Sequence, residues 1–266
     1  MYEELLEDIA QRNGLREVNT SLKLAAALGG LLLCLVSTGY VAPLAIAVTL
    51  SLAILFFAKV DARTYAGLFI APFLFALMSV SVIILLTGGP DPYWTWAPFS
   101  WLSFSITQAS VNEGFFVFCR IIGGMSALIF IAVTTPMTDL FAVMRSWRIP
   151  EAVLDLAMVI YRIIFMIMDQ LVQTYQSQSM RLGYSSFRES IGSFSTLCGS
   201  VFIASWDAGE DLVRAMDARC YAGRFAMLGE TRPVEVKPLL VVIAFLLLSS
   251  LIVVLTGNIT VIRGGP

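Results

Sequence analysis

Residues 66–87, AGLFIAPFLFALMSVSVIILLT, contain no charged side chain over their whole length. A helix needs about 20 consecutive apolar residues to cross the hydrocarbon core of a bilayer, so this segment predicts a transmembrane helix. The same criterion selects four further segments of the chain. The five predicted spans are residues 23–39, 41–58, 66–87, 113–134 and 238–256.

The composition of the whole chain agrees with a membrane protein. Of its 266 residues, 58% are hydrophobic and only 14% are charged, and the mean hydropathy is +0.83. So few charges cannot cover the surface of a water-soluble protein of this size, which predicts an all-α polytopic membrane protein. The net charge of -2 gives no reason to expect nucleic acid as a partner. The acidic N-terminus lacks the features of a cleaved signal peptide, and we expect it to be retained.

The positions of Lys and Arg predict the orientation of the spans, because basic residues near span ends stay on the cytoplasmic side. Basic side chains precede the first span, lie between the second and third, and fill the connection between the fourth and fifth. The loop after residue 87 has neither Lys nor Arg as far as the fourth span. We therefore expect a cytoplasmic N-terminus and an external C-terminus. Tyr93, Trp94, Trp96 and Trp101 of that loop are interpreted as an interfacial aromatic belt.

The connection between the fourth and fifth spans is too long for a simple loop. Its periodicity predicts a short helix capped by Thr138 or Asp139, then two long amphipathic helices, from 151 to about 181 and from about Ser186 to Tyr221. Neither long helix is apolar all round, so neither is expected to span. Four segments follow: 1–22, an amphipathic cytoplasmic N-terminus; 23–135, spans one to four; 136–237, a cytoplasmic helical domain; and 238–256 with its tail to 266, the fifth span.

Several chemistries lack the residues that they need. The chain has no histidine, and its four cysteines, at positions 34, 119, 198 and 220, show no paired spacing, so we expect neither a metal site nor a disulfide framework. It has no phosphate-binding G-x-x-x-x-G-K-[ST] motif and no nucleophile elbow. The prediction is a non-catalytic protein without a cofactor.

The arginines near the C-terminal ends of the two long amphipathic helices are the most informative charged residues. Arg219 continues the apolar stripe of its helix, whereas Arg214 points away and is placed to pair with Glu210. Arg181 and Arg219 could complement the negative helix ends or reach lipid headgroups, or they could form a docking surface for an acidic groove. Arg120, within the fourth span, should face protein or water: it could reach the membrane surface or make a polar packing contact.

Several segments of the chain resemble the transmembrane T component of energy-coupling factor transporters, specifically the cobalt-type CbiQ family. The resemblance rests on RNGLREVNTSLKL (12–24), TTPMTDLFAVMRSWRIP (134–150), SMRLG (179–183) and DARCYAG (217–223). In that family two short Ala-Arg-Gly motifs near the ends of two coupling helices insert arginines into two ATPase subunits. By position these are Arg181 and Arg219, with Gly183, Ala218 and Cys220 as the neighbouring motif residues. Met180 and Cys220 depart from the usual alanine and glycine.

The resemblance implies a membrane-embedded scaffold and coupling subunit of an ATP-driven importer, with cobalt for cobalamin synthesis as the expected substrate. The implied partners are two CbiO-like ATPases, a CbiM-like substrate-binding membrane subunit, a small CbiN-like subunit as a further candidate, and the lipid bilayer. Nickel-type or vitamin-type T components are alternatives. A self-contained secondary transporter is a further alternative, which the absence of a convincing internal repeat disfavours.

Overall fold

The computed structural model describes residue 7 and residues 9–86, 92–99, 102–221 and 233–256, with side chains described outside 92–105. The chain divides into two compact units, Met1–Leu140 together with Thr231–Pro266, and Phe141–Glu230. In chain order the helices are α1 Thr20–Val36, α2 Val41–Leu52, α3 Ala62–Leu86, α4 Gln108–Thr134, α5 Met137–Ser146, α6 Glu151–Met180, α7 Phe187–Ala218 and α8 Val236–Leu255. The predominantly helical fold class is confirmed.

All five predicted apolar segments are helical. Of the described helices, α3, α4 and α8 are long and apolar enough to cross a membrane, whereas α1 and α2, the latter extended by a π-helical turn at Ala53–Phe57, are shorter. Large side chains on α3 and α8 are exposed in the isolated chain, including Phe75 (71%) and Val254 (77%). Apolar faces of this kind are stable against lipid rather than water. The protein is therefore a membrane protein.

Helix α4 occupies the centre of the first unit, where it packs against α1, α2 and α3, while α8 packs against α1 and α2. Small residues permit these close approaches. A Cβ atom at Gly123 would lie 2.8 Å from both the Pro43 carbonyl oxygen and Cys34 Sγ, and one at Gly29 would lie 2.6 Å from Leu246 Cδ2. Both close approaches are made within the chain.

Polar side chains of the N-terminal segment bind the end of α4. The buried Asn13 amide donates to the carbonyl oxygens of Val133 and Thr134, and the Lys23 ammonium donates to Thr134 at 3.0 Å. These donors satisfy carbonyls that the helix terminus leaves without partners. The N-terminal segment is thereby attached to the last turn of α4.

A two-stranded antiparallel hairpin interrupts the helical order between α3 and α4. Strands β1 (Pro92–Phe99) and β2 (Leu102–Thr107) pair with Trp96 opposite Phe104. The sequence analysis predicted only a loop here, so the hairpin is a correction. Alternation of aromatic and β-branched residues is typical of strands and outweighs the loop interpretation. The side chains of the predicted aromatic belt, those of Tyr93, Trp94, Trp96 and Trp101, lie outside the described residues.

In the second unit α6 and α7 form a helical hairpin close to the predicted bounds. Helix α7 starts as predicted, with Ser186 Oγ accepting from the Glu189 backbone amide. Two boundaries differ from the prediction. Helix α5 begins at Met137, so Thr138 and Asp139 lie in its first turn and do not cap it, because the Pro136 carbonyl takes the first helical hydrogen bonds. Helix α7 ends at Ala218, three residues before the predicted end at Tyr221.

Candidate functional site

The two long helices end in the same local structure. Arg181 is the C-cap residue of α6 and Arg219 is the C-cap residue of α7. The residue after each arginine has a left-handed backbone, with φ of 60° at Leu182 and 53° at Cys220. We call residues 178–183 and 216–221 the first and second arginine turns.

Each arginine turn is closed by the same pair of backbone hydrogen bonds. In the first turn the Gly183 amide donates to Gln178 at 2.9 Å and the Leu182 amide to Ser179 at 3.1 Å. In the second turn the Tyr221 amide donates to Met216 at 3.1 Å and the Cys220 amide to Asp217 at 3.0 Å. This pairing is the Schellman motif, which satisfies the last carbonyls of a helix. The backbone at both arginines is therefore equivalent and well defined.

The positions of the left-handed residues change the expected role of Gly183. A glycine after a helix end commonly takes the left-handed position, but in the first turn that position belongs to Leu182. A Cβ atom on Gly183 would lie 2.6 Å from Ser193 Oγ and 3.0 Å from the Gln178 carbonyl oxygen, so this glycine permits a close approach. Cys220 occupies the left-handed position that glycine favours in the second turn, at an energetic cost. Its backbone nevertheless adopts the conformation that glycine would take.

Both guanidinium groups are available to a partner. Arg181 and Arg219 are exposed, and within the described part of the chain neither side chain has a hydrogen bond or ion pair. The first arginine is flanked by exposed apolar side chains, Met180 at 89% and Leu182 at 73%. An arginine surrounded by apolar area is typical of the centre of a protein interface. These flanking residues entered the sequence analysis only as departures from the motif.

The two arginine turns lie at opposite ends of α6. Tyr221 of the second turn donates a hydrogen bond to Asp155 Oδ2 at 3.0 Å, and Asp155 lies in the second turn of α6. Arg181 follows Asp155 by 26 residues, which corresponds to about 40 Å at about 1.5 Å per residue. One side chain pair thus connects the end of α7 to the beginning of α6. The sequence analysis did not identify either residue of this pair.

The surroundings of Tyr221 keep its phenol protonated. Desolvation raises the pKa of Tyr221, and the hydrogen bond to Asp155 and the negative charge of that carboxylate raise it further. An ordinary tyrosine already titrates near pH 10. The phenol is therefore a hydrogen-bond donor throughout the neutral range.

Two other arginines occupy defined structural positions. Arg214 pairs with Glu210 at 2.8 Å, as predicted, and also lies 3.5 Å from Asp211. Arg120 donates from Nη2 to the Ser37 carbonyl at 2.6 Å, with its guanidinium over the Phe116 ring at 4.4 Å. Since Ser37 is the C-cap residue of α1, Arg120 makes a polar packing contact inside the chain. The expectation that it faces protein or water is confirmed.

Metal-binding groups are not brought together in the described part of the chain. No group of three or more His, Cys, Asp or Glu side chains there could hold a metal ion. The four cysteines are free; Cys34 and Cys119 are buried, whereas Cys198 and Cys220 are exposed.

Comparison with known proteins places this architecture in a family. Residues 11–228 match the model of the CbiQ family, described as cobalt transport protein. A putative fused cobalt transport protein CbiMQ of Methanocorpusculum labreanum is 36% identical over 93% of this chain, and the chain spans 41% of that protein's length. An uncharacterized protein of Methanocaldococcus jannaschii is 31% identical over 98% of this chain and 96% of its own. Cobalt transport protein CbiQ of Rhodobacter capsulatus is 25% identical over 75% of this chain and 81% of its own.

The matched residues include the N-terminal segment from residue 11 onward, α1 to α7 and both arginine turns, and they end before α8. The family model therefore covers most of the chain and not one isolated motif. The chain belongs to the CbiQ family of cobalt transport proteins.

Proposed function

We propose that this protein is the coupling subunit of an ATP-driven cobalt importer of the energy-coupling factor type. The observation that carries the proposal is the pair of identical arginine turns, with exposed and unpaired guanidinium groups among the described residues, at opposite ends of α6. A distance of about 40 Å along α6 suits two separate partner subunits better than one shared groove. Each arginine would insert into a groove of one ATPase, where a planar guanidinium can bind carboxylates in a bidentate manner.

In this proposal the membrane helices anchor the protein and hold a substrate-binding membrane subunit. The name of the CbiMQ relative describes a fusion, which supports a CbiM-type subunit as the neighbour of this chain. The protein would have five spans, a cytoplasmic N-terminus and an external C-terminus, so that the second unit faces the cytoplasm. Cobalt is the proposed substrate because the family and two of the relatives carry that description. A nickel importer is the alternative within the same class.

The mechanism follows from the rigidity of the arginine turns. ATP binding would bring the two ATPases together and move the docked arginines. Because each arginine caps a helix of 30 or more residues, its displacement would be transmitted along α6 and α7. The membrane subunit resting on these helices would reorient and release its ion.

Charge reversal at both arginines tests the proposal. In a complex of this chain with its ATPases and substrate-binding subunit, Arg181→Glu together with Arg219→Glu should reduce ATP-driven Co²⁺ uptake into proteoliposomes at least about thirtyfold. Loss of a desolvated interfacial charge pair typically makes the free energy of binding less favourable by about 2 kcal/mol or more at each site. The protein should still insert into the membrane, since neither arginine contributes to the core.

Arg214→Glu provides the matched control. Arg214 lies one to two turns before Arg219 on the same helix, is exposed, and forms ion pairs with the nearby carboxylates of Glu210 and Asp211. This variant should retain uptake within about twofold, because an exposed pair of this kind is worth only a few tenths of a kcal/mol. Unchanged uptake in the double variant would refute the proposed function, as would Co²⁺ transport by this chain alone.

A further inference from the structure

Among the described residues, each arginine turn makes a side-chain hydrogen bond to the opposite helix of the hairpin. In the first turn Ser193 Oγ of α7 donates to the Gly183 carbonyl at 2.7 Å. In the second turn the Tyr221 hydroxyl donates to Asp155 Oδ2 of α6 at 3.0 Å. The first bond joins residues ten positions apart across a short connection, whereas the second joins residues 66 positions apart. The second turn therefore depends on a tertiary contact for its position.

The hydrogen bond between Tyr221 and Asp155 has the properties of a defined contact. Asp155 is 9% exposed and adjoins Leu154, which is 2% exposed, so the carboxylate lies in a buried stretch at the beginning of α6, whereas Tyr221 is 37% exposed. A hydrogen bond to an ionised carboxylate is stronger than one between neutral groups. A buried carboxylate that loses its donor also loses solvation that water does not replace. Removing the phenol hydroxyl therefore affects the position of the helix end more than a surface substitution would.

Tyr221 is coupled to Arg219 through the backbone of the second arginine turn. The Tyr221 amide donates to Met216 and the Cys220 amide donates to Asp217, which closes the turn around Arg219. A hydrogen bond that holds the Tyr221 side chain in place therefore also restrains the position of the Arg219 Cα atom, two residues away. Tyr184, the tyrosine near the first turn, differs because its hydroxyl bonds to Gln178 within the same turn.

We propose that Tyr221 and Asp155 are positioning residues that hold Arg219 in register with the beginning of α6, so that movement at the second ATPase contact is transmitted to α6 as well as to α7. The inference rests on the proposed function of Arg219. The inference adds a second mechanical connection to α6. Displacement of the ATPases would reach the beginning of α6 through Asp155 and its end through Arg181. Loss of the hydrogen bond would weaken the transmission of movement from the end of α7 to α6.

The test uses three single variants in the assembled complex. Tyr221→Phe removes the donor and Asp155→Leu removes the acceptor at similar volume, whereas Asp155→Asn keeps an oxygen that accepts from the phenol. Tyr221→Phe and Asp155→Leu should each lower the number of Co²⁺ ions transported per ATP hydrolysed about tenfold, in line with the loss of a hydrogen bond to a charged group. Asp155→Asn should retain at least about half of the wild-type ratio.

The double variant Tyr221→Phe with Asp155→Leu tests whether the two residues act as a pair. The number of Co²⁺ ions that it transports per ATP hydrolysed should match that of the more impaired single variant, because the hydrogen bond can be lost only once. Independent effects that multiply would contradict the inference. So would a normal ratio in Tyr221→Phe, or an Asp155→Asn variant as impaired as Asp155→Leu.

Two further measurements separate this inference from a purely structural effect and from the proposed function. The variants should enter the membrane at wild-type levels and bind the ATPases in pull-down experiments, and a general folding defect in all three would contradict a positioning role. Arg219→Glu is assayed alongside. If it abolishes uptake while Tyr221→Phe does not change the transport ratio, the inference fails and the proposed function stands; if Arg219→Glu has no effect, the proposed function fails.

Discussion

At the scale of single residues, Leu182 and Cys220 have a left-handed backbone, which Lys59 and Arg148 also adopt among the described residues. Residues with a Cβ atom reach this conformation at a cost of about 1–2 kcal/mol, and glycine reaches it almost freely. Both positions directly follow an arginine that we propose to dock on a partner. In each arginine turn the residue after the arginine therefore has a strained backbone, and a glycine at that position would remove the strain.

Relief of this strain gives a direct prediction. Leu182→Gly and Cys220→Gly should each raise the free energy of unfolding by about 1 kcal/mol, because glycine removes the steric conflict of the left-handed conformation. The measurement is equilibrium unfolding of the purified full chain in detergent. Ala215→Gly, at a right-handed helical position of α7, is the control and should lower the same quantity by about 1 kcal/mol. Destabilisation by both turn variants would contradict the assigned backbone.

At the scale of helices and strands, the sequence predicted the positions of the apolar segments and of α6 and α7 within a few residues. Hydrophobic runs and 3.6-residue periodicity are local properties, so they can be read without the fold. The hairpin at β1 and β2 was missed because aromatic residues there also fit a membrane-interface loop. The end of α7 was misplaced because Cys220 gives no local signal for a left-handed residue. The pairing of Asp155 with Tyr221 depends on tertiary contact, which no periodicity reports.

The packing of α4 supplies a prediction at this scale. Gly123→Ala should lower the free energy of unfolding by about 1–3 kcal/mol, since the new Cβ atom would lie 2.8 Å from the Pro43 carbonyl oxygen and the backbone must shift. Gly199→Ala, on α7, is the matched control because a Cβ there has no neighbour within 4 Å. The control should stabilise the protein by about 0.5–1 kcal/mol through helix propensity. Thermal unfolding in detergent measures both, and equal effects of the two variants would refute the packing of α4 against α2.

At the scale of the whole molecule, the fold combines a membrane unit with a unit dominated by two long helices, and the sequence indicates this division through its distribution of charge. Three of the described helices are long and apolar enough to span a membrane, and the shorter α1 and α2 belong to the five-span arrangement that we propose. Both arginine turns belong to the second unit, which is the part of the chain that we propose to contact the ATPases.

The central claim is that the two arginine turns contact separate ATPases, and site-specific photo-crosslinking tests it most directly. A photoreactive amino acid at Met180 or at Cys220, both exposed beside an arginine, should form crosslinks to the ATP-binding subunits in membranes that contain the complete complex. The same group at Ile203, exposed in the middle of α7, should give no crosslink to them. Crosslinks from both turns to the ATPases would agree with the account. Absence of ATPase crosslinks at both positions, with intact complexes, would contradict it.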